Sequence, residues 1–260
     1  MPICDFISWT KRLEMYEKPK ETVFFTSPPR SASTLFGAML HHKGRSVTFG
    51  EPYALAQLSG GFSEGYWNEE DLKELVPAAV RAIRKNVPKN QICVIKTSSR
   101  EIQLVPFLKS MPEVKHIFLW RKNGMDSIER VIYRSLGEYA DTIAPIYLKI
   151  YQSARDTFNF FMGLLLFGDG WIFRLLKPQD VKEAAFCTYI APYISYLKCS
   201  KQFCHPIVLH EDLIKNPEIV LKSVFQQISL PDESISEALE RLKQMIEFLG
   251  VSGDPLVKIS

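Results

Sequence analysis

Residues 23–40, VFFTSPPRSASTLFGAML, narrow the fold more than any other stretch of this 260-residue chain. An apolar run, Val23-Phe24-Phe25, meets a small-residue turn at Thr26-Ser27-Pro28-Pro29, and a helical pattern follows from Leu35 to Leu40. The order predicted is strand, tight loop, helix. It aims the free N–H groups of a helix start at whatever lies above the loop. Arg30 and the hydroxyls of Ser31, Ser33 and Thr34 stand at the same place, so the loop reads as an anion site, most naturally for phosphate. Neither the GxxxxGK(S/T) pattern of a Walker loop nor GxGxxG occurs here. The plain alternative is a proline turn followed by a serine N-cap.

The alternation repeats downstream. A strand is predicted over 47–49, ending at Gly50-Glu51-Pro52, and a helix over 53–58. Gly60-Gly61 and residues 62–67 read as an irregular loop, and Asn68 as the N-cap of a helix over 69–85. A strand over 91–95 ends in Lys96-Thr97-Ser98-Ser99-Arg100, before a helix over 102–110. A strand over 116–120 ends in Arg121-Lys122-Asn123-Gly124, before a helix over 125–136. Each strand delivers polar or cationic residues at its C-terminal end. That is the pattern of an α/β protein with a central parallel sheet flanked by helices, whose ligands bind at those ends. Residues 139–200 read as mostly helical, with breaks at Gly168-Asp169-Gly170 and Lys177-Pro178. A last strand over 206–209 and helices opening at Asn216-Pro217 and over 235–249 complete a single domain, 1–260.

Composition excludes some functions. A net charge of +3 is too mild to argue for nucleic acid or an anionic membrane. The five cysteines (Cys4, Cys93, Cys187, Cys199, Cys204) form no CxxC pair and no metal spacing with histidine, which predicts free thiols in a reducing compartment and no metal. The first twenty residues lack a basic segment leading into an apolar one, so no signal peptide is expected. The most apolar run, 158–167, is well short of the roughly 20 residues a membrane helix needs. A soluble, cytoplasmic protein is the expectation. The aromatic stretch with Phe158, Phe160, Phe161, Phe167, Trp171 and Phe173 suits an acceptor pocket, core helices or a dimer face, so a homodimer stays open.

Pro29-Arg30-Ser31-Ala32-Ser33-Thr34-Leu35 resembles the phosphosulfate-binding loop of the sulfotransferases, with Ala32 standing where that family has glycine. Three more segments resemble the family in its own order. They are Val94-Ile95-Lys96-Thr97, the strand and turn from His116 through Arg121 into the helix carrying Ser127 and Arg130, and His210-Glu211-Asp212-Leu213 with Asn216-Pro217. The resemblance implies a P-loop-NTPase-like sulfotransferase architecture, with residues 139–200 on the acceptor side. It implies 3′-phosphoadenosine-5′-phosphosulfate (PAPS) as donor, 3′-phosphoadenosine-5′-phosphate (PAP) as product, and a hydroxyl of a small aromatic or apolar molecule as acceptor.

Carried over residue by residue, Arg30, Ser31, Ala32, Ser33, Thr34 and Leu35 would hold the 5′-phosphosulfate. Arg121, Ser127 and Arg130 would meet the 3′-phosphate, and His210 the adenine. Arg30 would neutralise the leaving oxygen and Lys96 the transferring group. Cytosolic members place a histidine base where Ser98 stands; other branches use a glutamate beyond the loop helix, the place of Glu51. Plain readings stand beside these: Glu51 as a solvated turn carboxylate, Arg130 as a surface ion-pair partner, His41 and His42 as partners of a helix C-terminus. The family's C-terminal Arg-Lys-Gly element is not evident. A nucleotide-binding module without chemistry, and a carbohydrate or protein sulfotransferase, are the alternative functions.

Overall fold

The computed structural model describes residues 1–16, 18–153 and 170–248. In chain order the elements are α1 (Ile3–Tyr16), β1 (Glu21–Thr26), α2 (Ser33–Met39), β2 (Ser46–Gly50), α3 (Tyr53–Ser63) and α4 (Glu69–Arg84). Then come β3 (Ile92–Thr97), a 3-10 segment (Ser99–Leu108), β4 (Val114–Trp120), α5 (Met125–Leu136), α6 (Ala140–Ser153), α7 (Gly170–Leu176) and α8 (Val181–Cys199). β5 (Val208–Leu209), α9 (His210–Lys215), α10 (Pro217–Gln227) and α11 (Ser234–Phe248) close the chain.

The strands form one parallel sheet in the order β2-β3-β1-β4-β5. β1 sits at the centre, between β3 and β4, and its side chains alternate between two cores. Val23 and Phe25 pack on one face with α2, α10 and α11, through Phe36, Phe225 and Leu242. Phe24 packs on the other with α4, the 3-10 segment and α8, through Val76, Ile102 and Cys199. This gives the predicted helix–sheet–helix layering, with both faces of the sheet dry. A third cluster joins α5, α6, α7 and α8 beside it. The chain visits one side of β1 first and the other later, so the sheet reverses direction between β1 and β4. Ligands of open α/β sheets bind at such a reversal, beyond the strand C-termini.

Asn68 caps α4 as expected. Its side chain accepts from the Asp71 N–H at 2.9 Å, and the Asp71 carboxylate accepts from the Asn68 N–H at 3.2 Å. Two local readings change. The loop predicted from Gly60 is helix as far as Ser63. Gly61 is needed there for closeness, because a Cβ would lie 2.4 Å from the Trp67 ring that folds back onto the helix. The helix predicted over 102–110 is a 3-10 segment containing Pro106. α1 was not foreseen; it lies on α4, with Lys11 and Glu74 paired at 2.7 Å. The described helices include none long and apolar enough to cross a membrane.

Arg84, at the end of α4, is buried beneath the sheet. It donates to Thr22 Oγ1 of β1 at 3.1 Å and to Glu113 at 2.8 Å. Burial pushes the Glu113 carboxyl up, but the Arg84 hydrogen bond, a hydrogen bond from the Glu113 backbone, and the Arg84 and Lys18 charges together outweigh it and hold it below the usual range. Removing one partner of a buried pair strands the other. Arg84→Met should therefore cost about 3 kcal/mol in urea unfolding at neutral pH. A depressed carboxyl stabilises above its unfolded value and loses that contribution as pH falls through its folded value. The gap between wild type and variant should narrow in acid over that window.

Candidate functional site

The loop after β1 is built on two left-handed residues that are not glycine, Arg30 with φ 61° and Ala32 with φ 60°. Each costs roughly 1–2 kcal/mol in an L-residue, so the surroundings must hold them. Two contacts do. The buried Ser31 hydroxyl donates to the Pro28 carbonyl at 2.8 Å, closing the turn on itself. The Arg121 guanidinium, from the end of β4, donates to the Arg30 carbonyl at 3.0 Å. The Ser31 hydroxyl proton is thus already engaged within the loop. Ala32 is the N-cap of α2, and no side chain caps that turn. With seven residues, α2 offers its first free N–H groups rather than a long dipole.

Lys96 and Glu51 come together at the C-terminal ends of β3 and β2. The Glu51 N–H donates to the Lys96 carbonyl at 2.7 Å, extending the ladder one residue past β2. Glu51 then turns left-handed, at φ 47°, and its carboxylate pairs with the Lys96 ammonium. The pair is lopsided: the lysine side chain is 9% exposed and the glutamate 59%. The Lys96 stem runs over Gly37 of α2, where an added Cβ would touch Cδ at 3.5 Å. Both side chains line a cavity of about 640 Å³, together with Thr34, Gly37, Ala38, His41, Thr48, Gly50 and Arg241. Ser98 is turned elsewhere, donating to the buried carboxylate of Glu101 at 2.6 Å.

The second cluster lies across the sheet reversal. Arg121 is buried, and its pKa is lowered by burial and by the nearby Arg130 and Arg30 charges, with Glu211 opposing. Ser127 is buried on α5; Arg130 donates to its hydroxyl at 3.5 Å and to the Asp126 carbonyl at 3.2 Å. Ser127 and Arg130, the two residues expected together on this helix, thus meet one helical turn apart. His210 is buried at the start of α9, and burial and Arg121 both lower its pKa. Among the described residues its Nε2 has no hydrogen-bond partner, nor does Oε2 of the adjacent Glu211. Tyr189 of α8 donates to the Arg121 and Lys122 carbonyls and steadies that turn.

Arg30, Ser31, Ala32, Arg121, Ser127, Arg130 and His210 therefore gather around the β1–β4 reversal, while Thr34, Glu51 and Lys96 share the cavity beside it. Two residues escaped the sequence reading. Glu211 faces Arg121 from the segment quoted for His210. Arg241 enters the cavity from α11, where its spacing is that of any exposed helix position. His42 is a helix-end partner, as its plain reading held: it is buried, with Nε2 2.9 Å from the Met39 carbonyl and Nδ1 3.0 Å from Glu237. His41 instead accepts from the Thr48 N–H at 3.2 Å.

Among the described residues, no Phe, Tyr or Trp lines this cavity. Residues 158–167 lie outside the described residues. Trp171 and Phe173 belong to the α5–α8 core, Phe62 and Trp67 pack against the α4 core, and Tyr53 and Tyr66 are exposed. Among the described residues, no group of three or more His, Cys, Asp or Glu side chains is placed to hold a metal. All five cysteines are unpaired, and burial pushes Cys93 up to about 12 and Cys187 and Cys199 up to about 11, so these three are poor nucleophiles.

No family model matches the chain, and no curated protein does. Among solved structures, it is similar to a sulfotransferase from Alicyclobacillus acidocaldarius, at 13% identity over 89% of this chain and 96% of that one, with a TM-score of 0.43. It is also similar to mouse sulfotransferase SULT7A1 complexed with PAP, at 14% identity over 95% of this chain and 73% of that one, with a TM-score of 0.42.

The loop geometry makes a direct prediction. Ala32→Gly relieves a left-handed alanine and should leave the thermal midpoint unchanged or higher. Ala32→Val puts a β-branched residue there and should cost roughly 2 kcal/mol in the same unfolding experiment.

Proposed function

We propose that the protein is a sulfotransferase, moving a sulfuryl group from PAPS to a hydroxyl of a small acceptor. The observation that carries this reading is the meeting of Glu51 and Lys96 from two different strands, at a cavity that begins with Thr34 of the loop helix. A base and a cation converge beside an anion-binding turn, as transfer to a hydroxyl requires. The donor fits the rest of the site. Arg121 is buried with guanidinium capacity to spare for a phosphate, and the unpartnered Nε2 of His210 sits beside it, suited to a nucleotide.

The donor supplies an activated sulfuryl group; in the reaction the acceptor oxygen bonds to sulfur as the bond from sulfur to the 5′-phosphate oxygen breaks. Glu51 takes the acceptor proton. Lys96 leaves Glu51 for the sulfuryl oxygens, and its pairing in the free protein keeps both groups within reach of that position. Arg30 and the N–H groups of Ser33, Thr34 and Leu35 offset charge on the leaving oxygen. Arg121, Ser127 and Arg130 grip the 3′-phosphate, and Arg121 also braces the loop through the Arg30 carbonyl. Alignment and charge stabilisation then supply most of the rate.

Saturating PAP should raise the unfolding midpoint, since a ligand at 100 times its Kd adds about 2.7 kcal/mol. No shift would remove the donor. Glu51→Gln should keep that stabilisation and lose at least about 100-fold in turnover with radiolabelled donor. Stabilisation by PAP with no turnover on any acceptor would select the module without chemistry instead.

A further inference from the structure

The cavity at Glu51 and Lys96 has a mostly apolar surface, but that surface comes from small residues and side-chain stems rather than from rings. Gly37, Ala38 and Gly50 contribute little more than backbone, and Thr34 and Thr48 contribute hydroxyls. An aromatic acceptor would be gripped by rings or by Leu, Ile, Val or Met side chains, and the described lining offers none of these, its one ring being the His41 imidazole. The volume of about 640 Å³ is in the range that small ligands fill.

Its charge is also uneven. Lys96 and Glu51 answer one another, which leaves Arg241 as the remaining fixed charge among the lining residues. Arg241 is held in place: its guanidinium donates to the Ala38 carbonyl at 2.6 Å and pairs with Glu237 one turn earlier on α11. Its side chain is 25% exposed. Glu237 is oversubscribed, because it also faces Nδ1 of His42 at 3.0 Å and feels Arg45, and these groups hold its carboxyl low. Burial lowers the His42 pKa, so at neutral pH the permanent charges facing this one carboxylate are the guanidiniums of Arg241 and Arg45, two cations to one anion, and the wall contributed by α11 presents a preorganised guanidinium.

We propose that the acceptor is a polyhydroxylated anion, such as a sugar acid, whose acidic group is read by Arg241 while its hydroxyl is presented to Glu51. The hydroxyls of Thr34 and Thr48 meet the acceptor's other hydroxyls, and the small residues of α2 and β2 leave room for a ring substituted all round. Arg241 thereby selects among acceptors and takes no part in bond making. The inference rests on the sulfuryl-transfer reading for the direction of the hydroxyl, but the charge preference is a property of the cavity alone.

The test is equilibrium binding to the full chain, with and without PAP, of matched pairs: D-glucuronate and its methyl ester, D-gluconate and D-sorbitol, glucose 6-phosphate and glucose. Wild type should prefer the anion in at least one pair by about tenfold or more, the size of one charge-assisted hydrogen bond. Arg241→Gln should reduce that preference to near unity without weakening the neutral partner, and Arg241→Lys should keep part of it. Glu237→Gln, which leaves Arg241 in place and removes its counter-ion, should increase the preference. A purely structural role for Arg241 would move both members of a pair together. Equal binding of anion and neutral partner in every pair, or tighter binding of phenols than of any anion, overturns the proposal. PAP stabilisation reports separately on the donor, so failure of the acceptor class and failure of sulfuryl transfer give different results.

Discussion

The hydrogen bond from Arg121 to the Arg30 carbonyl holds the two sides of the sheet reversal together. Arg30 and Ala32 are both left-handed, a conformation that alanine and arginine do not keep unaided. The bond spends one N–H of a buried cation to hold the turn above β1. In the same act it sets the guanidinium at the gap between β1 and β4. A loop of glycines would reach the same backbone shape with less need of such a brace.

The strain recurs at Glu51, the third left-handed residue at a strand end of this sheet. The ladder bond from its N–H to the Lys96 carbonyl and the ion pair to the Lys96 ammonium hold it there. Backbone cost is concentrated where the side chains carry charge, and the two dry faces around β1 supply the stability that offsets it. Such an arrangement fixes the backbone of the site, so that only side chains such as Lys96 need move when a charged ligand arrives.

Much of this was legible in the sequence. The alternation of β-branched and aromatic runs with amphipathic stretches gave β1 to β4 and α4 within a few residues, because burial on both faces demands continuous apolar strands. Arg30, Lys96, Arg121 and Glu51 each stand just past such a run, where the chain leaves the sheet, and for the last three the resemblance to the sulfotransferases supplied the expected role. The errors were local and physical. Gly60-Gly61 looked like a break, yet the helix continues because Trp67 needs the bare backbone of Gly61. α1 lacked any strand or cap to announce it, and it owes its place to contact with α4. Trp171 and Phe173 were no error: periodicity left pocket, core and dimer face open, and packing decided for a core.

The sequence by itself determined a parallel α/β protein with cations and a carboxylate at its strand ends, since strand spacing and the turn residues after each run are local properties. Only the tertiary structure decided which of these groups meet. Strand order put Lys96 beside Glu51 rather than beside Arg121, and the packing of α11 on α2 brought Arg241 into a cavity otherwise built from the first half of the chain. Such meetings depend on which faces bury one another, and that is a property of the whole packed core, not of any stretch within it.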